Sequence, residues 1–431
     1  MNASRQFLED LFRKAVAAAH PAQNLPPLLP AAPDKGKLIV LAAGKAAGSM
    51  AEVAERHYLD VGLPKARLAG IAVARHGYGR PLQAIEMVEA GHPMPDQAGL
   101  DAAARTLKLA EAAGKDDLVL ALISGGASAN WIAPAQGLSL AEKQAVTRAL
   151  LRSGANITEM NTVRKHLSRI KGGRLARLAH PAPLVTIGIS DVPGDDPAVI
   201  GSGPTVPDPT TLADARAVVA RFRLDLPAAA IAALNDPNNE SPKPDDPAFV
   251  GTEYRLAVRP ADVFDAARKQ VEAAGYECVF LGDRLEGEAR EVAAAQASLA
   301  RELAAQGRRA VILSGGELTV TICGQGRGGP NQEFALALAI ALDGTKGIAA
   351  LAADTDGTDG GGGSAEDPAG AYVDGSSAAK GRALGLDPGA MLADNNSTGF
   401  FAQIDGLIAP GPTFTNVNDF RAILVDGVDT P

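Results

Sequence analysis

Lys37-Leu-Ile-Val-Leu-Ala-Ala-Gly44-Lys45-Ala-Ala-Gly48-Ser49 is an apolar run that stops at a glycine and passes into a helix-like stretch. The pattern returns at Leu118-Val-Leu-Ala-Leu-Ile-Ser124-Gly125-Gly126-Ala-Ser128 and again at Ala310-Val-Ile-Leu-Ser314-Gly315-Gly316-Glu317. A short apolar run bounded by glycine and followed by a helix is the signature of a buried parallel strand. Glycine at the strand's carboxyl end lets a ligand approach the backbone, where bare N–H groups and a helix N-terminus favour anions. Three such turns point to an α/β enzyme that holds a phosphorylated or carboxylated small molecule.

Working outward, Ala69 to Ala74 and Leu184 to Ile189 read as further strands, and Ala46 to Leu59 and Asp101 to Ala113 as helices. This alternation predicts right-handed crossovers and a Rossmann-like, mostly parallel sheet in the N-terminal half. Asn235 to Asp246 is polar and proline-rich and reads as the domain junction, giving domains 1–240 and 241–431. Beyond it, Tyr254 to Val258, Cys278 to Leu281, Ala310 to Leu313, Leu318 to Ile322 and Ile348 to Ala353 read as strands. Asp262 to Ala274 and Glu288 to Gln306 read as helices, so the second domain is a mixed α/β one.

Composition narrows the function. At 431 residues, two domains are expected. The net charge of −9 and the 4% aromatic content argue against nucleic acid and anionic membranes as partners. Any phosphate must therefore meet a local cationic pocket. Met1 to His20 reads as an amphipathic helix that lacks the apolar core of a signal peptide, and no apolar run reaches spanning length. Cys278 and Cys323 are too few for a disulfide framework and point to a reducing cytoplasm.

Several segments carry candidate chemistry. Gly44-Lys45 fits neither a Walker A loop nor the dinucleotide fingerprint, yet a lysine there can neutralise a transferring phosphoryl group; the alternative is a surface lysine after a turn. Asn161 to Arg174 is the densest cationic stretch, ordinarily a solvated face and otherwise a counter-charge for an anionic ligand. Asp191, in Ser190-Asp-Val-Pro-Gly-Asp-Asp196, is placed to hold Mg²⁺ or accept a hydroxyl proton, or simply to make a turn. Arg327, before Gly328-Gly329-Pro330-Asn331, suits a carboxylate or phosphate clamp or a structural loop. Asp354-Thr-Asp356-Gly-Thr-Asp359-Gly360 is an acidic turn suited to Mg²⁺ or substrate, and Ala365 at the twelfth position excludes an EF-hand. The histidines are not spaced as zinc ligands, and His92, in Gly91-His-Pro-Met-Pro-Asp96, reads as structural or as the border of a site.

Taken in order along nearly the whole chain, these motifs, with Gly201-Ser-Gly-Pro-Thr205 and Gly411-Pro-Thr-Phe-Thr-Asn-Val-Asn-Asp419, resemble the glycerate 2-kinase family with its C-terminal MOFRL domain. Members of that family often carry the label hydroxypyruvate reductase. The resemblance implies ATP- and Mg²⁺-dependent phosphorylation of D-glycerate to 2-phosphoglycerate in a cleft between two α/β domains. Its partners would be small molecules, and a homodimer is compatible with it. Lys45 matches the family's catalytic lysine, and Arg327 corresponds to its catalytic arginine, although many relatives carry Arg where this chain has Pro330. Asp191 and Asp356 match acidic positions, as catalytic and metal-holding carboxylates. Gly44, Ser124, Gly125, Gly126 and Ser128, and Ser314, Gly315, Gly316, Glu317 and Asn331, are implied to bind nucleotide and substrate. Ala127 and Asn130-Trp131 depart from the family pattern. The rival enzyme, an NAD(P)H-dependent hydroxypyruvate reductase, would want a dinucleotide fingerprint that the chain lacks.

Overall fold

The computed structural model describes residues 3–360 and 364–426. The chain divides into two compact units, Pro21–Val258, and Met1–His20 together with Arg259–Pro431. The first is built on six strands: β1 (Leu38–Ala43), β2 (Leu68–Arg75), β3 (Glu86–Ala90), β4 (Leu118–Ile123), β5 (Leu184–Ile189) and β6 (Glu253–Val258). All six residues of β1, β4 and β5 are buried, which only a sheet covered on both faces can achieve. The order is β3-β2-β1-β4-β5-β6, and every neighbouring pair is parallel. This is the doubly wound dinucleotide-fold order, whose direction of winding reverses between β1 and β4, where such sheets open a ligand crevice at their carboxyl edge.

Register makes that crevice specific. Ala43 lies opposite both Val73 and Ile123, so β1 and β4 end level and their turns leave the sheet side by side. The Lys45 N–H donates to the Gly125 carbonyl at 2.8 Å, and the Ala46 N–H to the Ser124 hydroxyl at 3.0 Å. Gly44 adopts φ +119°, and a Cβ there would lie 2.5 Å from the Ser124 carbonyl oxygen.

The expected junction at Asn235 to Asp246 is not one. Its polar side chains are consumed inside the first unit: the Glu240 carboxylate accepts from Lys243 at 2.7 Å, from the Leu212 N–H at 3.0 Å and meets His166 Nε2 at 3.1 Å. The division falls after β6, which pairs with β5 and completes the first sheet. The amphipathic N-terminal helix is present as Ala3–Ala19, with Met1 and Asn2 outside the described residues, and it belongs to the second unit. It buries Leu8, Leu11 and Phe12 there; Phe12 packs on Phe420 with ring centroids 6.1 Å apart, and the Ala19 carbonyl accepts from the Thr415 hydroxyl.

The second unit holds β7 (Glu277–Phe280), β8 (Ala310–Gly315), β9 (Ile348–Asp354), β10 (Gly370–Asp374), β11 (Leu407–Ile408) and β12 (Asp419–Val425), in the order β11-β10-β9-β12-β8-β7. Among the described strands β7 and β8 pair in parallel and the other neighbours are antiparallel, with β12 inserted between β8 and β9. Alanines 289, 293, 297 and 300 line one face of the helix Ala289–Ala305 and are buried against the core, which explains a large core with few aromatics. Leu318 to Ile322 is not a strand. Thr319 makes one isolated bridge to Glu288, and Ile322 is 81% exposed. Among the described residues no helix is long and apolar enough to cross a membrane.

Gly44→Ala tests the apposition of the two turns. Positive φ and the backbone collision together are expected to cost at least about 2 kcal/mol. In urea melts the midpoint should fall with the slope unchanged; a wild-type midpoint would show that the turns can move apart freely.

Candidate active site

The carboxyl edge of the first sheet gathers Gly44, Lys45, Ser124, Gly125, Gly126 and Ser128. Ser124 is fully buried, and its hydroxyl splices the two turns together. Gly126 has φ +85° and opens the short helix Ala127–Asn130. A Cβ on it would lie 3.1 Å from both Lys45 Cγ and the His92 ring, so the glycine is what lets these two side chains share one spot. Ser128 Oγ and Ser202 Oγ are 2.7 Å apart, and the Gly172 and Gly173 N–H groups donate to the carbonyls of Ser202 and Gly203. The Gly201–Thr205 segment thereby wraps the same edge. Asn130, one of the departures from the family pattern, donates to the Gly91 carbonyl at 3.3 Å and so positions the His92 segment. Asp191 follows β5 and is half-buried. Burial first, then the charges of Asp191 and Asp196, push the Tyr254 phenol well above its ordinary range.

A cavity of about 160 Å³ opens at this edge, lined by His92, Gly126, Ser128, Lys143, Arg164 and Lys171. Its cations are fixed by well-formed helices. Ser139 and Glu142 form a capping box that starts Leu140–Arg152, the helix of Lys143, and Asn156 and Glu159 do the same for Ile157–His166, the helix of Arg164. Lys143 and Lys171 are each 3% exposed. Lys143 donates to the Leu167 carbonyl at 3.1 Å and Lys171 to the Ser128 carbonyl at 3.0 Å. Among the described residues no carboxylate pairs with Lys143, Arg164 or Lys171. Burial, then Arg164 and Arg174, push the Lys143 ammonium down to about 7. Burial, then Lys143 and Arg164, hold Lys171 well below the ordinary lysine range, and burial lowers Arg164. Cations packed together without counter-charge are costly and suit an anion that supplies it.

The stretch Asn161 to Arg174 is therefore not a solvated face; within it, Arg169 is the exposed cation. It splits by partner. Lys165 meets Asp208 at 3.4 Å, His166 meets Glu240, and Arg174 donates to the carbonyls of Lys165, Lys171 and Asn239. Arg164 and Lys171 instead line the cavity. Lys143 escaped the sequence reading because Ala141-Glu-Lys-Gln144 looks like any exposed helical turn.

In the second unit, the carboxyl ends of β8 and β9 flank the start of β12, with Gly315 opposite Phe420 and Asp354 opposite Asp419. Here glycine serves the chain itself. A Cβ on Gly315 would lie 2.5 Å from the Phe264 ring; Gly316 has φ +100°, and a Cβ on it would strike the backbone of Leu285. The Ser314 hydroxyl is buried and accepts from Gln296 at 3.1 Å, while Glu317 is exposed. Asn331 donates to Asp419 at 2.7 Å and to Asp359 at 3.2 Å. Asp359 also accepts from the N–H groups of Asn331 and Gln332 and so caps the helix Pro330–Ala341, in which Pro330 takes the first position. Fully buried Arg421 joins Asp419 to the Gly316 carbonyl, both at 3.0 Å. Asp356 is buried, and one of its oxygens accepts from the N–H and hydroxyl of Thr358. Arg327 has a side chain 69% exposed and lies 3.3 Å from Asp367. Among the described residues no three His, Cys, Asp or Glu side chains group closely enough to hold a metal ion by themselves.

Two family models match the chain: Domain of unknown function (DUF4147) over residues 7–235 and the MOFRL family over residues 310–419. The chain is 38% identical over 415 residues to the D-glycerate 2-kinase of Thermotoga maritima, covering 95% of each protein. It is 48% identical over 428 residues to an Agrobacterium vitis protein named "Putative hydroxypyruvate reductase", covering 98% of this chain and 94% of that one. Its structure is similar to the crystal structure of glycerate kinase from Thermotoga maritima, with a TM-score of 0.83 and 36% identity over 98% of this chain and 99% of that one.

Lys143 makes stability depend on pH in a calculable direction. The folded chain releases its proton near about 7, whereas the unfolded chain keeps it to about 10.4. Between those values the unfolded state binds more protons, so stability rises with pH, and the contribution is flat below the lower value. Urea midpoints are expected to climb from pH 7 to pH 9, and Lys143→Met should flatten that climb. An identical climb in the variant would show that Lys143 is not the titrating group.

Proposed function

We propose that this chain, which belongs to the glycerate 2-kinase family through its DUF4147 and MOFRL regions, is an ATP-dependent kinase that phosphorylates D-glycerate on its 2-hydroxyl. The observation that carries the reading is Lys45 at the switch point of the first sheet, beside Gly126 and a cavity of unpaired positive charge. A chain with net charge −9 concentrates cations at this edge, where phosphoryl chemistry needs them.

The reductase name borne by the Agrobacterium vitis relative would call for a dinucleotide site at the same turn. Gly44 to Gly48 lacks the fingerprint, and a Cβ on Gly48 would lie 2.7 Å from the Tyr78 carbonyl, so that glycine accommodates its own chain.

In the reaction, the glycerate 2-hydroxyl oxygen attacks the γ-phosphorus in line, the bond to the β-bridging oxygen breaks, and ADP leaves. Such transfer depends mainly on positioning and on neutralising charge. Lys45 stabilises the transferring phosphoryl group. The Gly125-Gly126 backbone and Ser128 hold oxygens of the bound molecules, and Asp191 takes the hydroxyl proton. On the second unit we assign Arg327 as a further catalytic cation and exposed Glu317 to ligand binding, while the Gly315-Gly316 turn and Asn331 are taken up by the packing and hydrogen bonds of the chain itself. Mg²⁺ that enters on a triphosphate takes one or two carboxylates and keeps several waters. Asp191 on the first unit and Asp356 on the second are the carboxylates we propose for metal binding, and Mg²⁺ would supply charge neutralisation. Cys278 and Cys323 are both free thiols, in keeping with a cytoplasmic enzyme.

Phosphorus NMR of wild-type enzyme with ATP, Mg²⁺ and D-glycerate is expected to show 2-phosphoglycerate and ADP, and hydroxypyruvate should not drive NADH oxidation. Lys45→Ala and Arg327→Ala should each lower kcat by about 10²- to 10³-fold while remaining folded. Near-native turnover in both variants would remove these residues from the mechanism.

A further inference from the structure

We propose that the cationic cavity of the first unit is the seat of the acceptor's carboxylate, gripped by Lys143, Arg164 and Lys171, with the 2-hydroxyl left at the Gly126 and Ser128 end beside Lys45. This rests on the kinase reading and names which half of the reaction the cavity serves.

Size selects the occupant. A cavity of about 160 Å³ is smaller than the roughly 300 Å³ at which drug-sized pockets begin, which favours a three-carbon acid over a nucleotide as its occupant. Charge selects its chemistry. Lys143 and Lys171 are almost wholly buried, Arg164 is half-buried, and among the described residues no carboxylate pairs with them. The neighbouring cations of the same sequence stretch are already satisfied by Asp208, Glu240 and main-chain carbonyls. A carboxylate on the ligand is the counter-charge the cavity lacks. Direction follows from the lining: the cations lie on the segments 140–152 and 157–171, while Gly126, which lines the cavity, also lies against Lys45 Cγ.

The groups facing Lys143 are cationic: Arg164 and Arg174, with Lys171 in turn repelled by Lys143 and Arg164. A bound carboxylate reverses that balance and raises the affinity of Lys143 for its proton. Binding should therefore draw protons from the buffer near neutral pH.

The test compares wild type with Lys143→Met and Arg164→Met. The KM for D-glycerate is expected to rise by about 30- to 1,000-fold, with the KM for ATP within about twofold. Arg164→Lys should recover part of the loss. Glycerol and dihydroxyacetone, which keep a hydroxyl and lose the carboxylate, should not be phosphorylated by wild type. Should the variants fail to fold, calorimetry of D-glycerate binding to wild type without ATP, in buffers of different ionisation enthalpy, should show net proton uptake at pH 7.5. A raised KM for ATP with an unchanged KM for glycerate, or binding without proton uptake, would overturn the assignment and leave the kinase intact. Wild type that turns over no D-glycerate would overturn the kinase reading and this inference with it.

Discussion

Two turns that share hydrogen bonds hold the site of the first unit together. The strands β1 and β4 end in register, and the backbone after each is bare enough to touch the other. Lys45 is then anchored through its own N–H to the Gly125 carbonyl, and the Ser124 hydroxyl takes the next N–H in line. A lysine on a flexible stem gains from such an anchor, because its side chain carries large rotamer entropy and a fixed backbone narrows where its ammonium can reach. The level ending of β1 and β4 is a property of the parallel register, so the sheet itself sets where Lys45 begins.

The second element is charge that the fold leaves unbalanced. Burying an ammonium costs several kcal/mol after relaxation, and a fold normally offsets this with a carboxylate. At Lys165 it does so with Asp208, and at Lys243 with Glu240. At Lys143 and Lys171 the partners among the described residues are carbonyl oxygens. The repulsion that remains is tolerated because the capping boxes of two helices and the hydrogen-bonded Gly201 to Gly203 loop fix the surroundings independently. Stability is traded for a site already shaped for an anion.

The sheets were legible because apolar runs buried on both faces have one reading: β1, β4 and β5 begin and end where the sequence placed them. The helices Ala47–Asp60 and Ala289–Ala305 deviate by a residue at each end for the usual reason, fraying of caps. Strands that are short or half-exposed were not legible. β3 contains two glutamates in five residues, and β11 has two residues, so neither shows a period. β12 is apolar enough, but nothing local says that it inserts between β8 and β9. Asn235 to Asp246 misled because composition reports polarity and cannot report that Glu240 would find partners in His166, Leu212, Ser241 and Lys243. In the site, Lys45 and Gly126 were legible from their turns. Lys143 was not, since a lysine's burial is decided by what packs on its helix and leaves no trace in the helix itself.

The glycine-rich turns also show why the same motif carries different weight in the two units. At Gly316 the space a side chain would take is filled by the backbone of Leu285, and the Ser314 hydroxyl is turned to Gln296. At Gly44 the space is filled by the β4 turn. At Gly126 the neighbours are two side chains, Lys45 and His92, and His92 lines the cavity. A glycine after a strand thus reports close approach and is silent about what approaches; backbone and ligand make the same demand on φ and on Cβ. What separates the cases is the charge around them. Gly316 sits by an arginine whose charge Asp419 already answers, whereas the cavity that Gly126 lines holds Lys143 and Lys171, with which no carboxylate among the described residues pairs. Counter-charge missing around buried cations is therefore the stronger marker of where an anionic substrate belongs, and it becomes visible only once the fold has shown which cations are buried.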